Sequence, residues 1–433
     1  MRIKLLIIPA LIFSQNLFGQ VLLNPQEAVQ LALQNNLQLN AARNLQKAAE
    51  IQKTYGNAGF LPNLQLNGAY TLQSIDLKQE FSNGLLVDRR GVGSTNLQAG
   101  LGLQWALFDG GRMFYNWNRL GEEARKVGFD FRAQAEQCVA STLLAYYNIV
   151  QLQQQLFAVE AGLETANQQV LVCDTRWHAG TGSRQELLQA EIDRNTWKAL
   201  LIQQKSLIRT AKIQLNELLS RAPDIEFTVS DTIPSFYQDR IAGEDDTDFS
   251  KNTLLQQAEI NRRLAGLATK TTHSQLLPML QLNAGYQFGQ NSSEGGFALF
   301  NRSIGPSAGL NLSWNLFSGG QITNAVRRAK ITQSNADLNF RSVELAVSAQ
   351  LRVCRLQLED QKSIKTLEEQ NMVAAQENMQ LALERFQAGK TDMLSLKEAQ
   401  RSFQEGISRQ SNATLAVLKA EIELLRIKGT LIR

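Results

Sequence analysis

The stretch Phe60-Leu-Pro-Asn-Leu-Gln-Leu-Asn-Gly-Ala-Tyr70 returns later in the chain as Leu276-Leu-Pro-Met-Leu-Gln-Leu-Asn-Ala-Gly-Tyr286. Two further stretches return in the same order. They are Gly102-Leu-Gln-Trp-Ala-Leu-Phe-Asp-Gly-Gly111, matched by Asn311-Leu-Ser-Trp-Asn-Leu-Phe-Ser-Gly-Gly320, and Arg176-Trp-His-Ala-Gly180, matched by Arg385-Phe-Gln-Ala-Gly389. Three matched blocks in one order predict a tandem duplication. We place the first repeat at residues 21–221, the second at residues 248–433, and a linker at residues 222–247.

The spacing of the blocks locates one difference between the repeats. The offset between the two tryptophans is 314 − 105 = 209 residues, whereas the offset between the two prolines is 278 − 62 = 216 residues. The seven extra residues lie between Thr71 and Asn96. The first hairpin is therefore predicted to have the longer loop.

Each repeat contains two segments in which apolar and polar side chains alternate strictly. These segments lie within residues 63–108 and residues 279–317. A period of two with one apolar face predicts half-buried strands, one hairpin in each repeat. The apolar faces are Leu64, Leu66, Tyr70 and Leu72; Leu97, Leu101, Leu103, Trp105 and Leu107; Leu280, Leu282, Tyr286 and Phe288; and Leu310, Leu312, Trp314 and Leu316.

The polar faces of these strands consist of amides, hydroxyls and glycines, with almost no charge, as in Gln65, Asn67 and Asn283. Each segment spans about ten residues, which is the length that a tilted strand needs to cross a bilayer. A soluble antiparallel sheet with a core on one side would show the same alternation. The tyrosines and tryptophans of the apolar faces favour a membrane, because these side chains suit the lipid–water interface.

Residues 1–20 have the pattern of a secretory signal peptide. Arg2 and Lys4 form a basic start, residues 5–13 are mostly apolar, and Gly19 suits a cleavage site. A buried N-terminal helix is the alternative. After residue 20 no run of about 18 apolar residues occurs, so a membrane-spanning helix is not expected. Without Arg2 and Lys4 the net charge falls from +4 to 4 − 2 = +2, which does not favour nucleic acid as a partner.

The number of strands sets a requirement for assembly. A membrane barrel needs about eight strands or more, and one chain supplies four. An open sheet edge in lipid would leave backbone groups unpaired, at a cost of several kcal/mol each. We therefore expect a homotrimer with a closed twelve-stranded barrel.

Long segments rich in Ala, Gln, Leu, Glu and Arg follow the strands, at residues 112–177, 185–219, 322–387 and 393–428. About 65 residues at about 1.5 Å each make a helix roughly 100 Å long. Val139, Leu143, Tyr146 and Val150 follow the spacing of a coiled-coil seam. Polar residues interrupt the apolar stripes, as expected for a wall with water on both sides. A plain coiled coil is the alternative.

Each pair of long helices is predicted to turn at a tight tip, near residues 179–184 and 388–393. Gly180 and Gly389 fit the left-handed position that ends a helix. Ser183 and Asp392 fit the N-cap of the next helix, and Ser183 with Glu186 forms a capping box. The residues expected at the tips are Gly180, Thr181, Gly182 and Ser183 in the first repeat, and Gly389, Lys390, Thr391 and Asp392 in the second.

The junctions between helices and strands carry their own signals. Pro62 and Pro278 stand where an incoming helix must give way to a strand, because proline blocks helix continuation. Asp109 and Ser318 follow the strands and are candidate N-caps. The junction residues are Pro62, Gly110, Gly111, Pro278, Gly319 and Gly320.

Patterns for catalysis and metal binding are weak. His178 and His273 lie far apart, and the sequence has no HExxH, GxSxG or Gly-rich phosphate loop. A glycosidase-like carboxylate pair is left open by composition alone. The acidic residues 244–246 and 248 lack the spacing of an EF-hand. The cysteines Cys138, Cys173 and Cys354 form no CxxC pair and are predicted to be half-buried on helices. We expect no enzyme, cofactor or metal site.

The order of the elements, together with residues 176–190, residues 385–399 and the Leu-Phe-Asp/Ser-Gly-Gly strand exits, resembles the TolC-like outer-membrane efflux protein family. The resemblance covers essentially the whole chain after residue 20. It implies a mostly α protein with membrane β-strands: a homotrimer with a twelve-stranded outer-membrane barrel and a periplasmic tunnel of helical hairpins. It also implies the exit duct of a tripartite efflux or type I secretion system, with a periplasmic adaptor (membrane fusion) protein and an inner-membrane transporter as partners and outer-membrane lipid around the barrel.

The resemblance also implies residues at the tunnel entrance, which fall on Glu186, Ser395 and Glu398. Only two of the three are acidic. The family's gating partners of the first-tip acid fall on Phe386 and Thr391, which cannot form the expected links, and simple capping is the alternative role of Glu186. The competing function is a secreted structural coiled-coil protein without a channel. Unlike a duct, such a protein would not need detergent.

Overall fold

The computed structural model describes residues 21–230, 248–295 and 298–432. The predicted signal peptide and the acidic residues 244–246 lie outside this described part. The chain forms two compact units, and each repeat contributes to both. The sheet unit contains Ala42–Arg132 and Thr253–Val347. The hairpin unit contains the described residues of Met1–Ala41, Ala133–Asn252 and Ser348–Arg433.

The first repeat contains β1 (Val21–Leu23), α1 (Pro25–Asn35), α2 (Leu37–Gln52), α3 (Tyr55–Ala58), β2 (Asn63–Glu80), β3 (Leu86–Asp109), α4 (Arg112–His178) and α5 (Arg184–Leu218). After β4 (Phe227–Val229), the second contains α6 (Thr253–His273), a 3₁₀ turn (Ser274–Leu276), β5 (Met279–Ser293), β6 (Phe300–Ser313), α7 (Gln321–Gln387) and α8 (Met393–Lys428). The four long helices match their predicted bounds to within about one residue. No helix in the described ranges is long and apolar enough to cross a membrane.

The four long strands form one antiparallel sheet in the order β2-β3-β5-β6. The prediction of a longer first loop was wrong, because the extra residues lengthen β2 and β3 instead. These strands pair as far as Glu80 with Leu86, and the turn between them is only residues 81–85. The Asp76 carboxylate accepts a hydrogen bond of 2.8 Å from the Gly91 N–H at an irregularity in the pairing. Strands β2 and β3 continue to pair beyond this irregularity.

Strand β6 ends earlier than the alternation predicted. Met279 pairs with Ser313, and Pro278 stands immediately before β5. The chain after Ser313 therefore finds no partner on β5, and Trp314 and Leu316 lie beyond the strand. The second hairpin ends at residue 313 rather than 317.

The predicted coiled-coil seam lies in the core of the hairpin unit. Val139, Leu143, Tyr146 and Val150 are all buried. The Tyr146 hydroxyl donates to the Leu23 carbonyl at 2.8 Å and accepts from the Ser230 N–H at 3.0 Å. These bonds attach α4 to a two-stranded parallel sheet of β1 and β4. The stretch Ile225-Glu-Phe-Thr-Val229 has the pattern of a short strand, which predicts β4 but not its partner β1.

In each long hairpin, a glycine on one helix faces a large side chain on the other helix. A Cβ atom at Gly162 of α4 would lie 2.4 Å from the Trp197 ring of α5. The residue equivalent to Trp197 is Gly406 of α8 (197 + 209 = 406), which leaves room for Met372 of α7. The first hairpin thus places the large residue on its second helix, and the second hairpin places it on its first.

All three cysteines are more buried than predicted, with exposed fractions of 8%, 3% and 5% for Cys138, Cys173 and Cys354. They are free thiols. Burial raises the pKa of each thiol above its ordinary value, so the reactive thiolate is disfavoured.

Candidate functional site

The two faces of the sheet differ in chemistry as the alternation predicted. Directly paired residues share a face, and the pairing aligns Leu66 with Leu101 and Leu101 with Tyr286 on the apolar side. On the opposite side, Asn67 aligns with Gly100 and Gly100 with Gln287. The strand registers therefore confirm the predicted separation of an apolar face from an uncharged polar face.

The apolar face is uncovered within one chain. Leu66 is 79% exposed, and Leu310 and Leu312 are each 67% exposed. Such a large contiguous apolar surface is unusual on a soluble protein and marks a membrane or protein contact. On the polar face, Gln65, Asn67 and Gln287 are exposed as well.

In each repeat, a tryptophan near the end of the second strand forms a hydrogen bond with the backbone just before the first strand. The Trp105 indole N–H donates to the Phe60 carbonyl at 2.8 Å, and the Trp314 indole N–H donates to the Leu276 carbonyl at 3.0 Å. The two bonds are equivalent in the two repeats. Pro62 and Pro278 directly precede β2 and β5. The prolines thus stand at the helix-to-strand junctions, as predicted.

The glycine pairs after the strands adopt left-handed conformations. Gly110, Gly111, Gly319 and Gly320 all have positive φ angles between 62° and 84°. A Cβ atom at Gly110 would lie 2.4 Å from the Ser274 carbonyl oxygen, so only glycine fits there. The Asp109 carboxylate accepts from the Met113 N–H at 3.2 Å, and the Ser318 hydroxyl accepts from the Ile322 N–H at 3.4 Å. Both side chains thus accept from a first-turn N–H of the next helix, but Gly111 and Gly320, rather than Asp109 and Ser318, occupy the N-cap positions.

The two tips of the long helical hairpins have the predicted backbone. Gly180 and Gly389 have φ angles of 72° and 71°. At the first tip the Thr181 N–H donates to the Arg176 carbonyl at 2.9 Å, and at the second the Lys390 N–H donates to the Arg385 carbonyl at 2.8 Å. This pattern is the Schellman ending of a helix. The tips are exposed except for Gly182 and Thr391, which are half-buried.

The helices that leave the tips are capped as predicted. The Ser183 hydroxyl accepts from the Glu186 N–H at 3.1 Å, and the Glu186 carboxylate accepts from the Ser183 N–H at 3.4 Å. The Asp392 carboxylate accepts from the Ser395 N–H at 3.0 Å and also from its hydroxyl. These bonds hold the pKa of Asp392 below its ordinary value. Glu186 and Ser395 therefore serve as capping partners, and Glu398 is exposed.

One small core joins the two tips, and sequence reasoning did not find it. Cys173, Leu187, Ala190, Phe386 and Leu396 are buried together. The Arg176 guanidinium donates to the Phe386 carbonyl at 2.8 Å and lies 5.2 Å from the centre of its ring. Further along, the Lys397 ammonium lies 2.8 Å from the Asp193 carboxylate. The tips of the two repeats are thus held side by side in one chain.

The described residues offer no metal site, since no group of three or more His, Cys, Asp and Glu side chains could hold an ion among them. The chemistry that the arrangement does provide is a pair of differing sheet faces and a pair of fixed helical tips.

The comparisons with known proteins agree with this arrangement. The sequence pattern of the family described as "Outer membrane efflux protein" matches residues 28–221 and 249–430. The chain is 22% identical to the outer membrane efflux protein BepC of Brucella suis, over 85% of this chain and 77% of BepC. It is 24% identical to the alkaline protease secretion protein AprF of Pseudomonas aeruginosa, over 71% of this chain and 64% of AprF.

The fold also matches that of a solved outer-membrane protein. The structure of VceC from Vibrio cholerae superposes with a TM-score of 0.74 at 17% sequence identity, covering 94% of this chain and 96% of VceC. The family consists of outer-membrane channel proteins that extend into the periplasm, rather than enzymes. Because the family pattern covers most of both repeats, the chain belongs to the outer membrane efflux protein family.

Proposed function

We propose that three copies of this chain form one duct, in which the sheets close into a twelve-stranded barrel and the long helical hairpins form a periplasmic tunnel. The observation that carries this proposal is the four-stranded sheet with two free edges, β2 and β6, and an exposed apolar face. Free edges in lipid cost several kcal/mol for each unpaired backbone group. Pairing β6 of one copy with β2 of the next removes them.

In this duct the apolar face of the sheet contacts lipid and the uncharged polar face lines the pore. Side chains such as Gln65, Asn67 and Gln287 then hold water without favouring either ion sign. Residues 1–20 act as a signal peptide that is removed during export, and residues 222–247 link the repeats near the middle of the tunnel. Glu186, Ser395 and Glu398 lie at the tunnel entrance.

The duct is the last component of a tripartite system that also contains a periplasmic adaptor and an inner-membrane transporter. The two relatives support different cargoes, because BepC is named for efflux and AprF for the secretion of a protease. Both cargo classes need a wide water-filled exit. A multidrug efflux role and a type I secretion role share this part of the mechanism.

The tips are the proposed docking site of the adaptor. Residues 180–183 and 389–392 form two tight turns that a shared core holds side by side. Helix termination alone would not require the tips to be joined. A partner that contacts both turns at once would therefore meet a preformed surface, which lowers the entropy cost of binding.

A bulky side chain at the first tip tests this docking role. Thr181 is exposed and its side chain bonds only locally, to the Arg176 carbonyl at 3.3 Å. Thr181→Trp should therefore leave folding nearly unchanged but block the adaptor. The measurement is co-purification with the adaptor, together with the yield of assembled protein in the membrane. Thr391→Trp is the second-tip variant, although Thr391 is half-buried and tolerates less.

Two controls accompany this experiment. Thr181→Ser keeps the hydroxyl and should capture the adaptor normally. Gly180→Ala strains the left-handed turn by about 1 kcal/mol and should have little effect on an assembled trimer. Normal adaptor capture by Thr181→Trp and Thr391→Trp, with normal assembly, would remove the tips from the docking role.

A further inference from the structure

An open groove of about 590 Å³ lies within the sheet unit. It is lined by Lys53, directly after α2, and by residues of α4, α6 and α7. The apolar part of its lining includes Trp117 and Leu267. None of the features assigned above to the pore or the tips involves this groove.

The groove carries more positive than negative side chains. Its cationic lining residues are Lys53, Arg125, Arg262, Arg263 and Lys270. The carboxylates in the lining are those of Glu122 and Asp337. Glu259 does not line the groove but lies within 3.1 Å of Arg262 and Arg263. Counting it, the formal excess is 5 − 3 = 2 positive charges.

Two poorly exposed carboxylates hold three of these cations in place. Glu122 has a side chain only 15% exposed and lies 3.0 Å from Arg125 and 3.7 Å from Arg263. Glu259, with a side chain 19% exposed, lies 2.8 Å from Arg262 and 3.1 Å from Arg263. The arginine side chains are 41% to 64% exposed. The acids thus hold the guanidinium groups beside the groove, and the Arg262 guanidinium also lies 4.6 Å from the centre of the Phe340 ring.

The two lysines differ from the arginines. Neither Lys53 nor Lys270 forms an ion pair with any carboxylate in the described part of the chain. The Lys53 ammonium lies 5.1 Å from the centre of the Trp117 ring. It also lies beside Gly121, where an added Cβ atom would be 3.4 Å from the ammonium nitrogen. Both ammonium groups are therefore open to an anion.

The repeat shows that helix packing does not require these charges. The residues equivalent to Lys53 and Lys270 are Thr269 (53 + 216 = 269) and Thr54 (270 − 216 = 54), and the residue equivalent to Arg125 is Ser334 (125 + 209 = 334). All three are uncharged, yet they stand in the corresponding segments of the other repeat. The residues equivalent to Arg262 and Arg263 are Gln46 (262 − 216 = 46) and Lys47 (263 − 216 = 47), so every cation except Arg263 has an uncharged counterpart.

The contacts between helices place the groove on a concave surface. In the sheet unit, α2 contacts α4 through Arg43 and Phe131. Helix α4 contacts α6 through Asp130 and Gln257. Helix α6 contacts α7 through a bond of 3.2 Å from the Thr269 hydroxyl to the Ala329 carbonyl. The helices thus lie in the order α2, α4, α6, α7. Residues near both ends of this row can line one groove only on the side toward which the row curves.

We propose that this groove binds an anionic group, namely the phosphate, carboxylate or sulfonate of a solute that passes through the duct. The proposal rests on the proposed function, because the concave side of the wall then faces the lumen. Three copies would place three such sites around the tunnel. Trp117 and Leu267 would contact an apolar part of the same solute, so the favoured ligand class is an amphipathic anion.

The test is the binding of inorganic pyrophosphate to the purified protein in mild detergent, measured by calorimetry at low and at physiological salt. The Lys53→Gln/Lys270→Gln double variant removes the two lysine charges, and its affinity should fall by about tenfold or more at low salt. The matched control is Lys47→Gln/Lys330→Gln. It removes two exposed charges of the sheet unit that do not line the groove, and its affinity should stay within about twofold.

A second arm separates a solute from a lipid headgroup. The same variants are compared in nanodiscs of phosphatidylglycerol and of phosphatidylcholine. Pyrophosphate binding that depends on Lys53 and Lys270 and is the same in both lipids supports the proposal. Equal pyrophosphate affinity in the two double variants overturns it, and so does a lysine effect confined to phosphatidylglycerol. The number of chains per particle, measured on the same samples, tests the proposed duct independently.

Discussion

Glu421 of α8 is a buried carboxylate. Its residue is only 7% exposed, and burial raises the pKa of its carboxyl above the ordinary value of 4.5, against the opposing effect of Lys362 and Lys365. A raised pKa means that the folded protein holds this proton more tightly than the unfolded chain does. The free energy of unfolding therefore falls as the pH rises from about 4.5 through the raised pKa.

Replacing this carboxylate should stabilise the protein at neutral pH. Glu421→Gln removes the cost of a buried negative charge, so the thermal unfolding temperature should rise at about pH 8. The gain should disappear near pH 4, where the native carboxyl is already protonated. The control is Glu344→Gln, which changes an exposed carboxylate. A lower unfolding temperature for Glu421→Gln at pH 8 would mean that Lys362 and Lys365 stabilise the ionised form.

Among single residues, those that act locally could be predicted from the sequence, whereas contacts between distant residues could not. The glycines and caps of the tips were predictable, because Gly180, Ser183 and Asp392 act on backbone within a few residues of themselves. The bond from Arg176 to Phe386 was not predictable, since 210 residues separate its partners. The arginines and lysines of the groove likewise come from separate helices, and no local pattern brings them together.

At the scale of elements, the period-two alternation predicted the strands and their faces but not their ends. A strand continues only while a neighbour pairs with it, so β6 stops at Ser313, opposite the first residue of β5. The same reason explains the long first hairpin, where β2 and β3 continue to pair with each other beyond the end of β5 at Ser293. The hydrophobic pattern depends on the residues of one strand, whereas the length of a strand also depends on the neighbouring strand with which it pairs.

The assignment of the two sheet faces can be tested with arginine. Leu66→Arg and Leu312→Arg place a charge on the apolar face, at a cost of roughly 2–4 kcal/mol for each site near the middle of a bilayer. Three copies multiply this cost. The expected result is a strong loss of protein assembled in the outer membrane, measured by membrane fractionation and trimer yield.

The matched control for these variants lies on the neighbouring residue. Asn67→Arg adds the same side chain to the polar face, where water is available, and should assemble much better than Leu66→Arg. Equal assembly defects for Leu66→Arg and Asn67→Arg would contradict the assigned faces.

At the scale of the whole molecule, the duplication explains why one chain supplies an open sheet and two joined tips. Each repeat contributes one hairpin of strands and one hairpin of helices, and the repeats differ in small ways, such as the exchange between Trp197 and Gly406. The order of the elements made the family recognisable from the sequence. The parallel pairing of β1 with β4 was beyond such reasoning, because each strand has only three residues and no periodicity to detect.

The number of chains in the membrane-extracted particle tests the central claim most directly. Native mass spectrometry of the protein, released from the outer membrane in mild detergent, should find three chains in every particle, because only closure removes the free edges of β2 and β6. A particle of one chain, stable in detergent and with its sheet still inserted in the membrane before extraction, would contradict the duct.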